Sequence, residues 1–229
     1  MTIKYFHRAL VPAVLFGFVA GTLPGAMAQE SRLGVDAGIG TTGLSGNVQV
    51  GLTRHFALRG GYNFLAFDLD DQTYDDITYS SEMDFSTFGG FVDIHPFGNA
   101  FTLTGGVFQG DKAIDFDATP AGNVIIGDMT FTPDEVGTLS GSATLESSAP
   151  YLGIGYDNTL TGSGRWSFFA RAGVMFSGAP QIDLSASGGT LADDPDFQAE
   201  LEEEEANIQD DVDDYEYYPV VSLGIAARL

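Results

Sequence analysis

The chain has 229 residues, 32 Asp and Glu against 9 Lys and Arg, a formal net charge of −23 and no cysteine. That charge excludes a nucleic-acid partner, whose phosphates demand Lys and Arg, and the missing cysteine excludes a disulfide framework. With 30 glycines, 27 Phe and Tyr and 18% charged residues, the composition fits neither a disordered chain nor a bundle of membrane helices.

At the amino terminus, Lys4, His7 and Arg8 precede an apolar stretch from Ala9 to Ala20, and Ala26-Met27-Ala28 stands just before Gln29. This order is that of a secretory leader, expected to be cleaved after Ala28. Residues 29–229 then form the mature chain, enough for one domain or one small barrel. The alternative, an uncleaved anchor, has between Pro12 and Pro24 an apolar core shorter than the roughly 20 residues a spanning helix needs.

Eight segments with an apolar period of two follow, the mark of strands with one apolar face. Leu33, Val35, Ala37 and Ile39 oppose Gly34, Asp36 and Gly38; Val48, Val50 and Leu52 oppose Asn47, Gln49 and Gly51. Phe56, Leu58, Tyr62 and Phe64 oppose Arg59, Gly61 and Asn63, and Phe88, Val92 and Ile94 oppose Phe91 and Asp93. Phe101, Leu103 and Val107 oppose Thr102, Thr104 and Gly106, and Leu152, Ile154 and Tyr156 alternate with Gly153 and Gly155. Trp166, Phe168, Ala170, Ala172, Val174 and Phe176 oppose Ser167, Phe169, Arg171, Gly173 and Met175. In the last segment Pro219, Val221, Leu223, Ile225, Ala227 and Leu229 oppose Val220, Ser222, Gly224, Ala226 and Arg228.

The connections alternate too. Those near Thr53–His55, His95–Asn99 and Asp157–Arg165 are short. The others run over Thr41–Gly46, Asp68 to about Met83, Gly110 to about Ala149, and Ser177 to about Tyr218. The last three hold 27 of the 32 acids within residues 68–84, 111–135 and 183–216, so the negative charge belongs to one rim. Apolar-out, Gly-rich-in segments with tight turns at one end answer the demand that lipid makes on a backbone, because a closed sheet pairs every N–H and C=O internally. The expected fold class is therefore all-β, an eight-stranded antiparallel transmembrane β-barrel with long acidic extracellular loops. A soluble barrel would face solvent with charged residues rather than Gly, Ser and Thr. A ten-stranded version would use Val124–Thr132 and Thr138–Leu145, unless these segments extend the fifth and sixth strands above the membrane. Trp166, Tyr62 and Tyr156 fall near strand ends, where an aromatic girdle sits.

With this pattern, the segments Pro150–Tyr156 and Tyr218–Gly224 and the ending Ser222, Gly224, Ala227 and Leu229, the chain resembles the small bacterial outer-membrane proteins of the outer-membrane protein A and W type. The resemblance covers the mature chain and implies an outer-membrane location. In that group a C-terminal signal is read by the barrel assembly machinery. Ser222, Gly224, Ala227 and Leu229 stand at its places, with Leu229 where an aromatic is usual. It further implies contact with outer-membrane lipid and lipopolysaccharide, and no cofactor.

Three groups of residues could carry function. Asp36, Arg59, Asp93, Arg171 and Arg228 point into a lumen just wide enough for side chains to fill. They either plug it as ion pairs or exchange partners in a gated narrow pore. Asp68, Asp70, Asp71, Asp75 and Asp76 form either a divalent-cation site or a solvated, self-repelling loop. A helix is expected over about 194–215, capped by Asp194 with Pro195 in its first turn. Phe197, Leu201, Ile208, Val212 and Tyr215 form its stripe, and it either docks at the outer mouth or stays an unengaged acidic loop. Like charges at Glu202–Glu205 oppose it unless the stripe docks or cations bind. Catalysis is not expected, because His55 and His95 fall at the short-turn end, away from the outer rim. The expected role is structural or surface interaction; the alternative is a narrow pore or passive transport of small ions or small apolar molecules.

Overall fold

A computed structural model describes residues 32–74 and 77–229, with side chains at 67–79 left aside. The expected leader, and Asp75 and Asp76, lie outside the described residues. Five strands open the fold: β1 (Arg32–Gly40), β2 (Gly43–Gly51), β3 (Phe56–Tyr74), β4 (Ile77–Ile94) and β5 (Phe101–Pro120). A small hairpin, β6 (Val124–Ile126) and β7 (Met129–Phe131), leads to the one-turn helix α1 (Pro133–Val136). Then come β8 (Gly137–Thr144), β9 (Ser148–Asp157), β10 (Trp166–Phe176), β11 (Gln181–Gly188), α2 (Pro195–Val212) and β12 (Tyr217–Arg228).

Eight of these strands close a ring in the order β1, β2, β3, β4, β5, β9, β10, β12, with β12 returning to β1 from Gly34↔Arg228 to Gly40↔Ser222. All neighbours are antiparallel. The outward face carries Leu44, Phe64, Phe88, Leu103, Leu152, Ile154, Phe168, Leu223 and Ile225, all exposed. The inward face is glycine, polar and aromatic, and is largely buried. Aromatics pair on the outside at both levels: Tyr156 stacks on Phe168 with centroids 4.9 Å apart, and Phe176 meets Tyr217 edge-on at 5.6 Å. Trp166, the single tryptophan, is 71% exposed on this face at the start of β10. Its emission should shift to the blue on insertion into bilayers and be quenched by lipids brominated near the headgroup; an unshifted, unquenched spectrum would contradict the outward assignment.

Strand pairing continues above the ring, where long loops were expected. β3 and β4 pair as far as Tyr74↔Ile77, so Asp68, Asp70 and Asp71 stand on a strand. β5 runs to Pro120 and keeps one register throughout, from Phe101↔Tyr156 to Gln109↔Ser148 and then from Ala113↔Thr144 to Ala118↔Leu139. β8 and β9 are therefore one long strand interrupted at 145–147, and β11 likewise prolongs β10 with a shift of one residue. Val124–Thr132 forms only the separate β6–β7 hairpin, so the ring has eight strands and not ten. Period-two apolarity lapses in these extensions because, outside lipid, the outward face no longer has to be apolar. The expected Thr41–Gly46 connection shrinks to Thr41–Thr42, with Gly43 at φ +85° closing the hairpin, a conformation glycine adopts without steric cost.

Candidate functional site: the lumen and the cap

Three ion pairs, built on two arginines, occupy the ring's interior. Arg59 on β3 donates from Nε to Asp93 Oδ2 at 2.8 Å and from Nη2 to Oδ1 at 3.2 Å, while Thr104 Oγ1 donates to Asp93 Oδ1 at 2.6 Å. Arg171 on β10 donates from the same Nη2 to Asp36 Oδ2 at 2.9 Å and Asp157 Oδ2 at 2.6 Å. Gln49 Nε2 bridges the same two carboxylates at 2.7 and 2.9 Å, and Asn47 Nδ2 donates to Asp36 Oδ1 at 2.7 Å. All five charged groups are buried. Such charges are tolerated only when paired and hydrogen-bonded, and each carboxylate here has both kinds of partner.

The glycines of the inner face make this possible. The Arg59 guanidinium lies 4.2 Å from the Phe91 ring centroid and that of Arg171 lies 3.8 Å from the centroid of Phe169. Phe91 in turn sits against Gly89 and Gly106, and Phe169 against Gly38 and Gly224, where any Cβ would overlap the ring. Each arginine thus rests on an aromatic face that two glycines have made room for, a favourable cation–π arrangement. Gly89→Ala should displace Phe91 and cost about 1–3 kcal/mol, read as a lower urea midpoint for loss of the folded, heat-modifiable form.

Phe91, Phe108, Ala149, Tyr151, Met175 and Val220 form a hydrophobic cluster inside the ring, with Phe91, Phe108 and Tyr151 meeting edge-to-face at 5.1–5.6 Å. A cavity of about 20 Å³ remains beside Arg59 and Arg171, room for about one water.

Arg228 is not part of this network: at the end of β12 it is half-buried and donates to Gly164 O at 3.0 Å. Asp157, which the sequence reading placed in a turn, is part of it. The signal was available, because Gly153, Gly155 and Asp157 share the inward parity. His55 Nδ1 lies 2.8 Å from His95 O, and His95 Nδ1 2.8 Å from Asn99 O, so both rings pin the short turns. Ser222 and Gly224 lie on the inward parity of β12; Ala227 is buried, and Leu229 N donates to Leu33 O at 2.9 Å. Among the described residues, no group of three or more His, Cys, Asp or Glu side chains is placed to hold a metal.

Above the ring, the face that lines the lumen lower down carries a second core. Ile126, Phe131, Val136, Leu184, Phe197 and Leu201 are buried together, with Phe116, Leu139, Ile182 and Ile208 packed against them. Phe116 shares the inward parity of Thr102, Thr104 and Phe108 on β5, so α2 and the β6–β7 hairpin cover the inner side of the extended wall. Asp194 caps α2, accepting from Asp196 N at 3.0 Å and Phe197 N at 3.3 Å.

Several of the helix acids serve as acceptors for backbone N–H. Glu200 accepts from Asp128 N at 2.9 Å and Glu204 from Gly127 N at 3.2 Å. Glu205 accepts from Leu184 N at 2.9 Å, and the Gln209 side-chain oxygen from Ile182 N at 3.0 Å. β11 is an edge strand, and four helix residues rise about 6 Å, close to the spacing of two residues along a strand. α2 thereby supplies, from side chains, the acceptors that a neighbouring strand would give. In α1, donors from Thr132 N and Oγ1 hold the Glu135 carboxyl below its ordinary value.

Two solved structures from Acinetobacter baumannii are similar to the chain. CarO aligns at 21% identity with a TM-score of 0.59, over 86% of this chain and 98% of its own. CarO2 aligns at 25% identity with a TM-score of 0.58, over 88% of this chain and 100% of its own. Both are eight-stranded outer-membrane barrels. The chain is a small outer-membrane β-barrel protein. A major outer membrane protein from Thermus thermophilus aligns at 12% identity with a TM-score of 0.43, over 88% of this chain and 100% of its own. No protein-family model matches the chain, and no curated protein does. As an integral protein of the bacterial outer membrane, the barrel turns its apolar girdle to lipid.

Proposed function

We propose that this barrel is closed to solutes and acts through its surface, in a structural or interaction role. The observation that carries the reading is the layer of paired charges and aromatic side chains inside the ring, which lines a cavity of about 20 Å³. Its partners are outer-membrane lipid and lipopolysaccharide, the barrel assembly machinery through Ser222, Gly224, Ala227 and Leu229, and divalent cations at the acidic rim that includes Asp68, Asp70, Asp71, Asp75 and Asp76. No catalysis is assigned, since both described histidines are engaged in turns. Refolded protein in planar bilayers should pass no discrete current steps while remaining heat-modifiable on gels; sustained unit conductance would overturn the closed reading. One feature favours the alternative, a gated narrow pore for small ions: Arg171 has two carboxylates within reach, so its pairing can shift. In that case the steps would depend on Asp36 and Asp157.

A further inference from the structure

Lys112 is the only lysine after Lys4, and it is 1% exposed. It sits on the inward parity of β5, opposite the interruption at 145–147. On the outward face of β5, apolarity ends at Val107, and Gln109 and Asp111 follow. The exposed Phe176–Tyr217 pair closes the girdle on β10 and β12. The site is therefore at the height of the outer headgroups, where such aromatics lie.

The ammonium is poorly served by the protein itself. Nζ donates to Gly110 O and Ser147 O, both at 3.3 Å, which uses two of its three N–H groups on neutral acceptors. None of the ion pairs among the described residues includes it. A buried cation in that state calls for an anion. Nearby, Ser177 Oγ is buried without a hydrogen-bond partner, and Ser177 O accepts from Glu146 N at 3.3 Å across the same break.

A cavity of about 410 Å³ opens here, lined by Asp111, Lys112, Thr144, Leu145, Glu146 and Gln181. Asp111, Glu146 and Gln181 are exposed and Lys112 is buried, so the acids frame the mouth and Lys112 lies beneath them. A bare anion would meet those carboxylates. A phosphate that brings a divalent cation meets complementary charge at both levels, because Mg²⁺ is held by carboxylates together with phosphate oxygens and lysine binds phosphate as a point charge.

We propose that this cavity binds a phosphate group of lipopolysaccharide, with Lys112 on the phosphate oxygens and Asp111 and Glu146 on its accompanying divalent cation. This rests on the reading of lipopolysaccharide as a partner and gives that partner a site. The test titrates full-length refolded protein in micelles with lipopolysaccharide, with its dephosphorylated form and with inorganic phosphate, each with Mg²⁺ and with EDTA. The native protein should prefer the phosphorylated glycolipid by about tenfold or more and lose that preference in EDTA, and inorganic phosphate should bind far more weakly. Lys112→Gln should remove the preference and Lys112→Arg keep it. Glu146→Gln, at an exposed position, should fold normally and lose the Mg²⁺ dependence, so the site remains testable if Lys112→Gln fails to fold. Glycolipid binding that ignores both substitutions would overturn the site while leaving the partner. Absence of glycolipid binding by the native protein would overturn both, and preference for inorganic phosphate would overturn the lipid assignment.

Discussion

Arg171→Ala is expected to cost the barrel about 3–5 kcal/mol, the penalty for leaving buried charge without its partner. The effect should exceed that of Arg59→Ala. Arg171 Nη2 is within 2.9 Å of Asp36 and 2.6 Å of Asp157, so its removal strands two carboxylates at once, whereas Asp93 has a single arginine and keeps Thr104 at 2.6 Å. Gln49 alone would then bridge Asp36 and Asp157, and one neutral amide does not offset two negative charges brought together in a low-dielectric interior. Adding Asp36→Asn and Asp157→Asn to Arg171→Ala should recover much of the loss, since the stranded charges are then gone. Urea unfolding followed by heat-modifiable mobility and Trp166 emission would read all of these, and an unchanged midpoint for Arg171→Ala would show that the pair does not hold the interior together.

The ring was legible from the sequence because lipid imposes one rule on every spanning strand: apolar residues must alternate outward over at least one bilayer thickness. That rule picks out Trp166–Phe176 and Pro219–Leu229 without ambiguity. It stops where lipid stops. The β3–β4 ladder continues above Phe64 and β5 continues above Val107, but the outward positions there include Ser86 and Asp84 on β4 and Asp111 and Asp115 on β5, so these segments read as loops. Parity also placed Asp36, Arg59, Asp93 and Arg171 on the inner face, yet it could not say which acid meets which arginine. That depends on ring closure, which sets β1 and β9 near β10 across 135 residues for Asp36 and 14 for Asp157. The aromatic seats were illegible for a related reason. Gly89 with Gly106, and Gly38 with Gly224, look like small inner residues until Phe91 and Phe169 are seen lying on them. In the cap, the run Glu202–Glu205 read as repulsion to be relieved by docking or bound cations and not as a set of acceptors, because the N–H groups that engage Glu204 and Glu205 come from Gly127 and Leu184, far away in sequence.

Phe197→Ala should have an effect of similar size, about 3–5 kcal/mol for a buried aromatic truncated in a packed core, but confined to the cap. Phe197 is buried in the first turn of α2, where its ring meets Phe131 edge-on with centroids 4.9 Å apart, and Ile126, Leu184 and Leu201 belong to the same cluster. None of these residues takes part in the β12–β1 closure or the ion-paired layer, so the ring should stay heat-modifiable. The loss should instead appear where α2 acts at a distance. Once the helix loosens, Glu205 and Gln209 leave Leu184 N and Ile182 N without acceptors, and the edge of β11 is exposed to pairing with other chains. Amide exchange at Ile182 and Leu184 should accelerate together, with a rise in aggregation of the refolded protein. Glu203→Gln, on the exposed side of the same helix, should do neither. Unchanged protection at Ile182 and Leu184 in Phe197→Ala would mean that the helix does not seal that edge.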